Sequence, residues 1–415
     1  MFVRRSAAVL AATAVIGAAL APAALADASP SASPELPSAL YGSGDPTYDG
    51  VWRQSLALLA QDTAGVAPAA AAVGWLAGQQ CADGAFAPYR ADPDAACDAK
   101  TAVDTNSTAA AVQALAALGG HDAATGKAVT WLKSVQNEDG GWGYTPGGAS
   151  DTNSTSAVVG ALAAAGEEPR QVRSGGRSPY DALRALAVPC GRDGGGAFAF
   201  QPDEGGALTA NADATAAGVL GALGEGFVVA PGKSGKDEKG EKGETGQEEA
   251  GGGCAAGSTA ADAARNGAAY LAGALAADGH LTSALPGAED RPDYGNTADA
   301  VVALAAAGRT ADAGEPLTWL EENAASWAAK SGPAAYAQLV LAAHATGADP
   351  RDFGGTDLVE RLNATGPAPR ASGERTAAAE TGDDGVSVGW FIGGGLAVGV
   401  LGGLLLSLRG GRRRP

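Results

Sequence analysis

Histidine, methionine and positive charge are all scarce in this chain. It has 3 histidines and 1 methionine among 415 residues, and its 28 lysines and arginines face 46 aspartates and glutamates. The net charge of −18 argues against a nucleic-acid partner, because nothing in the composition would displace phosphate counterions. None of the histidines (His121, His280 and His344) stands at a metal-ligand spacing, so the sequence predicts no metal site.

Large side chains are also few. Aromatic residues make up 5% of the chain, although apolar residues as a whole reach 46%, with alanine and glycine dominant. That apolar content suffices for one large core or two smaller ones. The helices of such a core must pack closely through small side chains.

The four cysteines show neither a CxxC motif nor a cysteine–histidine spacing, which argues against a metal or nucleophile role. Their even number in an exported chain favours disulfides, for which three connectivities exist in principle. Cys81 and Cys97 flank one Gly/Pro/Asp-rich loop, so we predict a Cys81–Cys97 bridge. Cys190 would then pair with Cys254 across a Lys/Glu/Gly-rich segment.

Export is predicted from the N-terminus. Arg4 and Arg5 precede an apolar run over residues 7–20, and Ala24-Leu25-Ala26 fits the small-residue cleavage rule. Residues 1–26 are therefore predicted to be a signal peptide, and the Pro/Ser/Ala-rich residues 27–46 a flexible lead-in.

The C-terminus predicts an anchor. Residues 386–408 carry no charge and could span a bilayer as a helix, and the basic residues 409–415 predict a cytoplasmic tail. The preceding linker, residues 367–385, contains Ala-Ala-Glu-Thr-Gly at 378–382. This motif resembles a sortase sorting signal, with Ala378 where that family has leucine. A plain membrane anchor and covalent attachment to the cell wall are both open.

Between these ends, four segments share one pattern: a helix end, a Gly/Asp turn with a following large apolar residue, a polar helix cap and a small-residue helix. They are residues 80–119, 136–166, 192–224 and 275–308. Recurrence of this kind is typical of helical repeat arrays, in which each unit buries its apolar face against its neighbours.

Periodicity predicts twelve helices, alternately small-residue-rich and amphipathic. They are 49–61, 68–79, 104–118, 122–136, 152–165, 179–188, 211–223, 258–276, 296–307, 312–327, 334–346 and 356–363. Six inner and six outer helices would close into a toroid over residues 47–366, which hides the apolar face that an open array exposes at each end. The Lys/Glu/Gly-rich segment within 228–256 is predicted to be a disordered insertion.

A family resemblance supports this fold. Gln136, Gly140 and Trp142 match the Q-x-x-x-G-x-W repeat of the terpene cyclase and protein prenyltransferase superfamily, and Gln80-x-x-x-Gly84-x-Phe86 is a variant of it. The resemblance spans about residues 48–366 and implies an all-α, α6/α6 toroid. Chemistry does not follow from the fold.

The reactive sites of these families are not matched. Protonating cyclases use the middle aspartate of Asp-x-Asp-Asp-Thr as the acid, whereas residues 104–108 and 151–155 place Asn106 and Asn153 there. Asp213 keeps that carboxylate in a third segment but lacks acidic neighbours. No zinc-binding trio and no thioester motif can be assembled. The sequence therefore favours a protein with no catalytic residues.

The inner-helix N-termini are expected to meet at one mouth of the toroid and to form a ligand site. The predicted ligand-binding residues at helix starts are Asp104, Thr105, Asn106, Asp151, Thr152, Asn153, Asn211, Asp213, Asp293 and Asn296; those on the loops are Tyr89, Trp142, Tyr144 and Phe198. Ordinary helix caps and aromatic packing between repeats explain the same residues without a ligand.

The toroid most similar in its helix starts is the helical domain of transcobalamin and intrinsic factor, whose inner helices also begin with Asp-Thr. The resemblance implies corrinoid contacts at Asp104, Thr105, Asp151, Asn153 and Asn211. We therefore expect a surface-anchored protein that captures a corrinoid such as cobalamin, without catalysis, for a membrane uptake system. The chain departs from that family in having no β domain after the toroid and no histidine placed to ligate cobalt.

Two alternatives remain open at this point. One is an extracellular enzyme that acts on glycans or terpenoids with paired acids such as Asp151 and Asp213. The other is a structural surface protein whose mouth binds another protein.

Overall fold

The computed structural model of the chain describes residues 36–232, 254–283 and 291–371. The predicted signal peptide, sorting motif, membrane span and basic tail lie outside the described residues, as does most of the predicted insertion. Within the described ranges, no helix is both long and apolar enough to cross a membrane.

The described residues form thirteen α-helices, a short 3-10 helix and a two-stranded antiparallel hairpin. The helices are α1 Gly50–Thr63, α2 Ala70–Gly78, α3 Thr105–Leu118, α4 Asp122–Ser134, α5 Thr152–Ala164, α6 Pro179–Leu186, α7 Ala212–Leu223, α8 Ala260–Leu275, α9 Tyr294–Ala306, α10 Thr310–Asn323, α11 Ala325–Ser331, α12 Pro333–Thr346 and α13 Leu358–Asn363. The 3-10 helix is Pro169–Gln171, and the strands are β1 Leu281–Thr282 and β2 Pro292–Asp293.

Six of these helices form a closed inner ring. Helices α1, α3, α5, α7, α9 and α12 pack each on the next, and α12 packs on α1. Helices α2, α4, α6, α8, α10 and α13 each pack on the inner helix of their own hairpin, while α11 packs against α10 and α12. These contacts form the ring of six inner and six outer helices that the repeats predict.

Small residues allow the inner helices to approach closely. A Cβ added at Gly218 would lie 2.6 Å from the Phe198 ring, and one at Gly221 would lie 2.4 Å from the Ser156 hydroxyl. Both glycines are on α7, which faces α5 and α8. The abundance of alanine and glycine is therefore a packing requirement of the ring.

Some predicted boundaries differ from the structure. The predicted helix 312–327 is two helices, because α10 ends at Asn323 and α11 begins at Ala325. Helix α9 begins at Tyr294, two residues before the predicted start, because the Asp293 carboxylate accepts the Asn296 backbone N–H and caps the helix.

The predicted lead-in and insertion are partly ordered. Tyr41 is fully buried and its hydroxyl donates to Gln61 Oε1 at 2.8 Å, so the end of the lead-in packs on α1. Val229 is also buried, although it lies within the predicted disordered insertion.

Both predicted disulfides are present. Cys81 is bonded to Cys97, and Cys190 is bonded to Cys254. The second bridge joins the loop after α6 to the segment before α8.

Candidate functional site

The repeat motif builds the loops that precede the inner helices. Gln136 Nε2 donates to the carbonyl of Gly140 at 2.7 Å. Gly140 has a φ of +88°, and a Cβ there would lie 2.3 Å from the Ser178 carbonyl, so only glycine fits. The Trp142 indole N–H donates to the Leu132 carbonyl at 2.7 Å. The motif residues therefore join one helical hairpin to the next.

A threonine four residues after each cap fixes these loops to the ring. Thr155 Oγ1 accepts the Trp142 N–H at 3.1 Å, and Thr215 Oγ1 accepts the Phe198 N–H at 2.9 Å. Thr108 holds the Phe86 N–H in the same way, at 2.9 Å. This repeated bond sets α3, α5 and α7 at the same height relative to the loops that precede them.

The predicted cap residues use their carboxylate or amide oxygens on the helices themselves. Asp104 accepts the Ser107 N–H at 2.6 Å, and Asn211 accepts the Ala214 N–H at 2.8 Å. Asp151 is buried and accepts both the backbone N–H and the hydroxyl of Ser154. These side-chain oxygens therefore have fewer positions left to accept hydrogen bonds from a ligand.

The residues just inside the caps line a central cavity. The cavity holds about 950 Å³ of space that no atom fills, including its open mouth, and every inner helix contributes to it. Its lining residues are Trp52, Leu56, Asn106, Gln113, Asn153, Ser156, Ala157, Asp213, Ala217, Leu220, Glu225, Gly226, Phe227, Asp299, Val302, Gln338 and Leu341. Asn106, Asn153 and Asp213 each stand two residues after a cap.

Two hydrogen-bonded pairs form the polar part of the cavity. Asn153 Nδ2 donates to Asp213 Oδ2 at 2.8 Å, which joins α5 to α7. Gln338 Nε2 lies 3.2 and 3.3 Å from the two carboxylate oxygens of Asp299, which joins α12 to α9. Leucine, valine and alanine side chains make up much of the remaining wall.

Two of the carboxylates that line the cavity, those of Asp213 and Asp299, sit in surroundings that disfavour their charge. Burial raises the pKa of Asp213, while the hydrogen bond from Asn153 lowers it. Burial and, to a smaller extent, the Asp213 charge raise the pKa of Asp299 to about 7, against the lowering effect of the Gln338 hydrogen bond. Strongly shifted carboxyl groups in a cleft are typical of functional sites.

Several polar atoms beside the cavity accept or donate no hydrogen bond within the described residues. They are the side-chain carbonyl oxygens of Asn106 and Asn153 and the hydroxyl of Ser156. A buried polar group without a partner costs about 1–3 kcal/mol, so a bound molecule that satisfied these groups would gain that energy.

The loop after α7 closes the other end of the cavity. The Phe227 N–H donates to Gln113 Oε1 at 2.9 Å, and the Phe227 ring meets Trp52 edge to face at 5.3 Å. Gly226 lies against Gly160 and Gln113 so closely that a Cβ there would be 2.4 Å from Gln113 Oε1. The cavity is therefore blocked at the level of the C-terminal halves of α3 and α5.

The other predicted site residues lie elsewhere. Trp142 and Phe198 are fully buried in the core, and Thr152 is buried with its hydroxyl donating to the Ala199 carbonyl. Thr105 is also buried, and its backbone N–H donates to the Tyr144 carbonyl. None of these four predicted residues is among those lining the cavity.

The remaining predicted residues are at the rim or on the surface. Asn296 donates from Nδ2 to Asp293 Oδ2 at 2.8 Å, so these two residues satisfy each other. Tyr144 is 49% exposed, and burial together with the nearby Asp104 charge raises the pKa of its hydroxyl. Tyr89 stacks on Trp75 with ring centroids 6.4 Å apart.

Asp299, Gln338 and Gln113 face the cavity but are absent from the sequence-based site. Asp299 and Gln338 each stand six residues after their helix cap, and Gln113 stands nine after its own. These offsets continue the helix face that Asn106 and Asn153 begin, so extending that face along each inner helix would have found them. The described residues contain no group of three or more histidine, cysteine and acidic side chains that could hold a metal ion.

Comparison with solved structures finds a distant likeness. No protein-family description and no curated protein matches the chain. A solved structure with similarity is ent-copalyl diphosphate synthase from Streptomyces platensis, at 16% sequence identity and a TM-score of 0.44. The match covers 72% of this chain and 50% of the synthase, so the chain spans about half the length of that protein. The ring architecture follows from the helix contacts, and no chemistry follows from this likeness.

Proposed function

We propose that this toroid is a ligand-binding protein whose central cavity holds a small, largely apolar molecule with a hydrogen-bonding head group. The carrying observation is a polar cluster of Asn106, Asn153, Asp213, Asp299 and Gln338 in a cavity whose other walls are mainly aliphatic or aromatic. An apolar cavity with a few convergent polar groups is the usual form of a small-molecule site.

Capture of a corrinoid at the cell surface, for an uptake system, is an alternative form of ligand binding by the same toroid. The peripheral amides of a corrinoid could reach Asn106 and Asn153, while its macrocycle would rest on the mouth. Asp104, Asp151 and Asn211 already accept hydrogen bonds from their own helices. They therefore offer that macrocycle fewer contacts than the resemblance implies. A smaller ligand that enters the cavity is therefore favoured over one that lies across the mouth.

Calorimetric titration of the mature chain (residues 27–415, without the predicted signal peptide) with apolar alcohols, amides and amines, together with cobalamin and its precursors, tests this proposal. Ala217→Leu adds volume to the cavity wall, and Ala123→Leu makes the same change on the exposed face of α4. We expect binding that weakens at least tenfold in Ala217→Leu and is unchanged in Ala123→Leu. No heat with any compound, or equal binding by both variants, would contradict the proposal.

Acid catalysis on a terpenoid or glycan is the second candidate, because Asp299 can hold a proton near neutral pH beside an apolar space. The predicted acid pair of Asp151 and Asp213 does not share the cavity, whereas Asp213 and Asp299 do. Product formed from prenyl diphosphates or glycans by the parent, and not by Asp299→Asn, would favour this candidate.

A further inference from the structure

We infer that the cavity ligand carries a primary ammonium group, held by Asp213 and Asp299, on an apolar body. This inference rests on the proposed function and names its ligand class. The two carboxylates come from different inner helices and line the same cavity, together with the carboxylate of Glu225. Among the lining residues of the described chain there is no lysine, arginine or histidine to balance Asp213 and Asp299.

Three of the four side-chain amides that line the cavity already donate hydrogen bonds within the protein. The amide of Asn153 donates to Asp213, and the amide of Gln338 donates to Asp299. The amide of Gln113 donates to the Ala157 carbonyl at 3.1 Å. A carboxylate offers about four acceptor positions, so Asp213 and Asp299 keep acceptor capacity after these bonds. A ligand therefore meets an excess of acceptors.

An ammonium group matches that excess, because it has three donors and no acceptor. It would also neutralise the mutual repulsion of the carboxylates, and it could donate to the unpartnered carbonyl oxygen of Asn153. Burial raises the pKa of both Asp213 and Asp299, and a cation bound between them would lower both values.

The rest of the wall favours an organic cation over a bare metal ion. Leu56, Leu220, Val302 and Leu341 line the same space and offer no oxygen ligand. Calcium takes six to eight oxygen ligands, and such a set would have to be completed by several waters against these apolar walls. An apolar body fills that space without this cost.

Calorimetric titration with three probes of one carbon frame tests the inference: cyclohexylmethylamine, cyclohexylmethanol and cyclohexanecarboxylate, each at pH 8 with the mature chain. We expect the amine to bind at least tenfold more tightly than the alcohol and the carboxylate not to bind. Asp213→Asn and Asp299→Asn should each reduce the preference for amine over alcohol to less than threefold. Asp122→Asn, on the exposed start of α4, should keep the full preference.

Equal or tighter binding of the alcohol or the carboxylate would overturn the ammonium assignment and leave the proposed binding function standing. Displacement of the amine by calcium ions at equal concentration would also overturn it, in favour of a metal site. If none of the three probes binds, the assignment fails, and if the wider panel of ligands also gives no heat, the proposed function fails with it. Melting curves of the variants separate lost binding from lost folding.

Discussion

At the scale of single residues, the environment of Asp299 has a consequence for stability. Burial and the Asp213 charge raise its pKa to about 7, whereas an aspartate in an unfolded chain titrates near 4. The folded protein therefore holds this proton to higher pH than the unfolded chain does. The stabilisation from this proton is fully present below about pH 4 and is lost as the pH rises through 7.

Asp299→Asn should therefore stabilise the protein at pH 8, by on the order of 1–3 kcal/mol, and change it little at pH 4. The other acidic groups facing this site are Asp213, Asp293 and Glu225, so their charges remain in the variant. Urea unfolding of parent and variant at both pH values measures the difference. Asp94→Asn, in an exposed loop, serves as the control. A difference between parent and Asp299→Asn that does not change with pH would contradict this account.

Single residues also show how much of the cavity lining can be predicted from the sequence. Asn106, Asn153 and Asp213 were predicted because each follows a cap by two residues in a recognisable repeat. In the repeat at α9 that position is Gly295, and the carboxylate stands one turn further along, at Asp299. The repeat pattern therefore pointed to the cap region and missed the acid that completes the pair.

At the scale of elements, the loop after α7 acts as a floor for the cavity. Its position depends on Gly226, which fits between Gln113 and Gly160. Nothing in the sequence indicates that this loop packs between Gln113 and Gly160, because the fit depends on the spacing between α3 and α5. The helices themselves were predictable, since caps, glycines and periodicity agree along each of them.

Gly226→Ala should displace this floor. The added methyl would lie 2.4 Å from Gln113 Oε1, and the hydrogen bond from the Phe227 N–H to that oxygen should weaken. We expect the Phe227 amide to exchange with solvent at least tenfold faster than in the parent. Gly273→Ala, on α8 with open space around its Cβ, is the matched control and should leave this exchange unchanged. Equal protection of Phe227 in both variants would show that the loop is held by other contacts.

At the scale of the whole molecule, the two disulfides close loops of different length. Cys190 and Cys254 are 64 residues apart, whereas Cys81 and Cys97 are 16 apart. In the loop-entropy description, a bridge stabilises the folded protein by restricting the unfolded chain. The bridge across the longer loop contributes about 1 kcal/mol more to the free energy of unfolding. Both pairs could be predicted, because export and an even cysteine count left few arrangements. The ring could be predicted as well. Each repeat buries its apolar face against a neighbour, and closing the array gives the first and last repeats a neighbour too.

Replacing Cys190 and Cys254 by serine should therefore destabilise the mature chain more than replacing Cys81 and Cys97, by about 1 kcal/mol. Guanidinium unfolding of the two double variants under one set of conditions gives the comparison. A larger loss from removing the Cys81–Cys97 bridge would mean that the shorter loop contributes through its native contacts and not through chain entropy.

The central claim is that the ring encloses a small-molecule site, and native mass spectrometry of the mature chain tests it most directly. The parent, incubated with the ligand panel and desalted, should retain one small molecule per chain. Ala217→Leu should lose that added mass, and Ala123→Leu should keep it. A parent that carries no added mass with any compound, or an added mass that persists in Ala217→Leu, would contradict the claim.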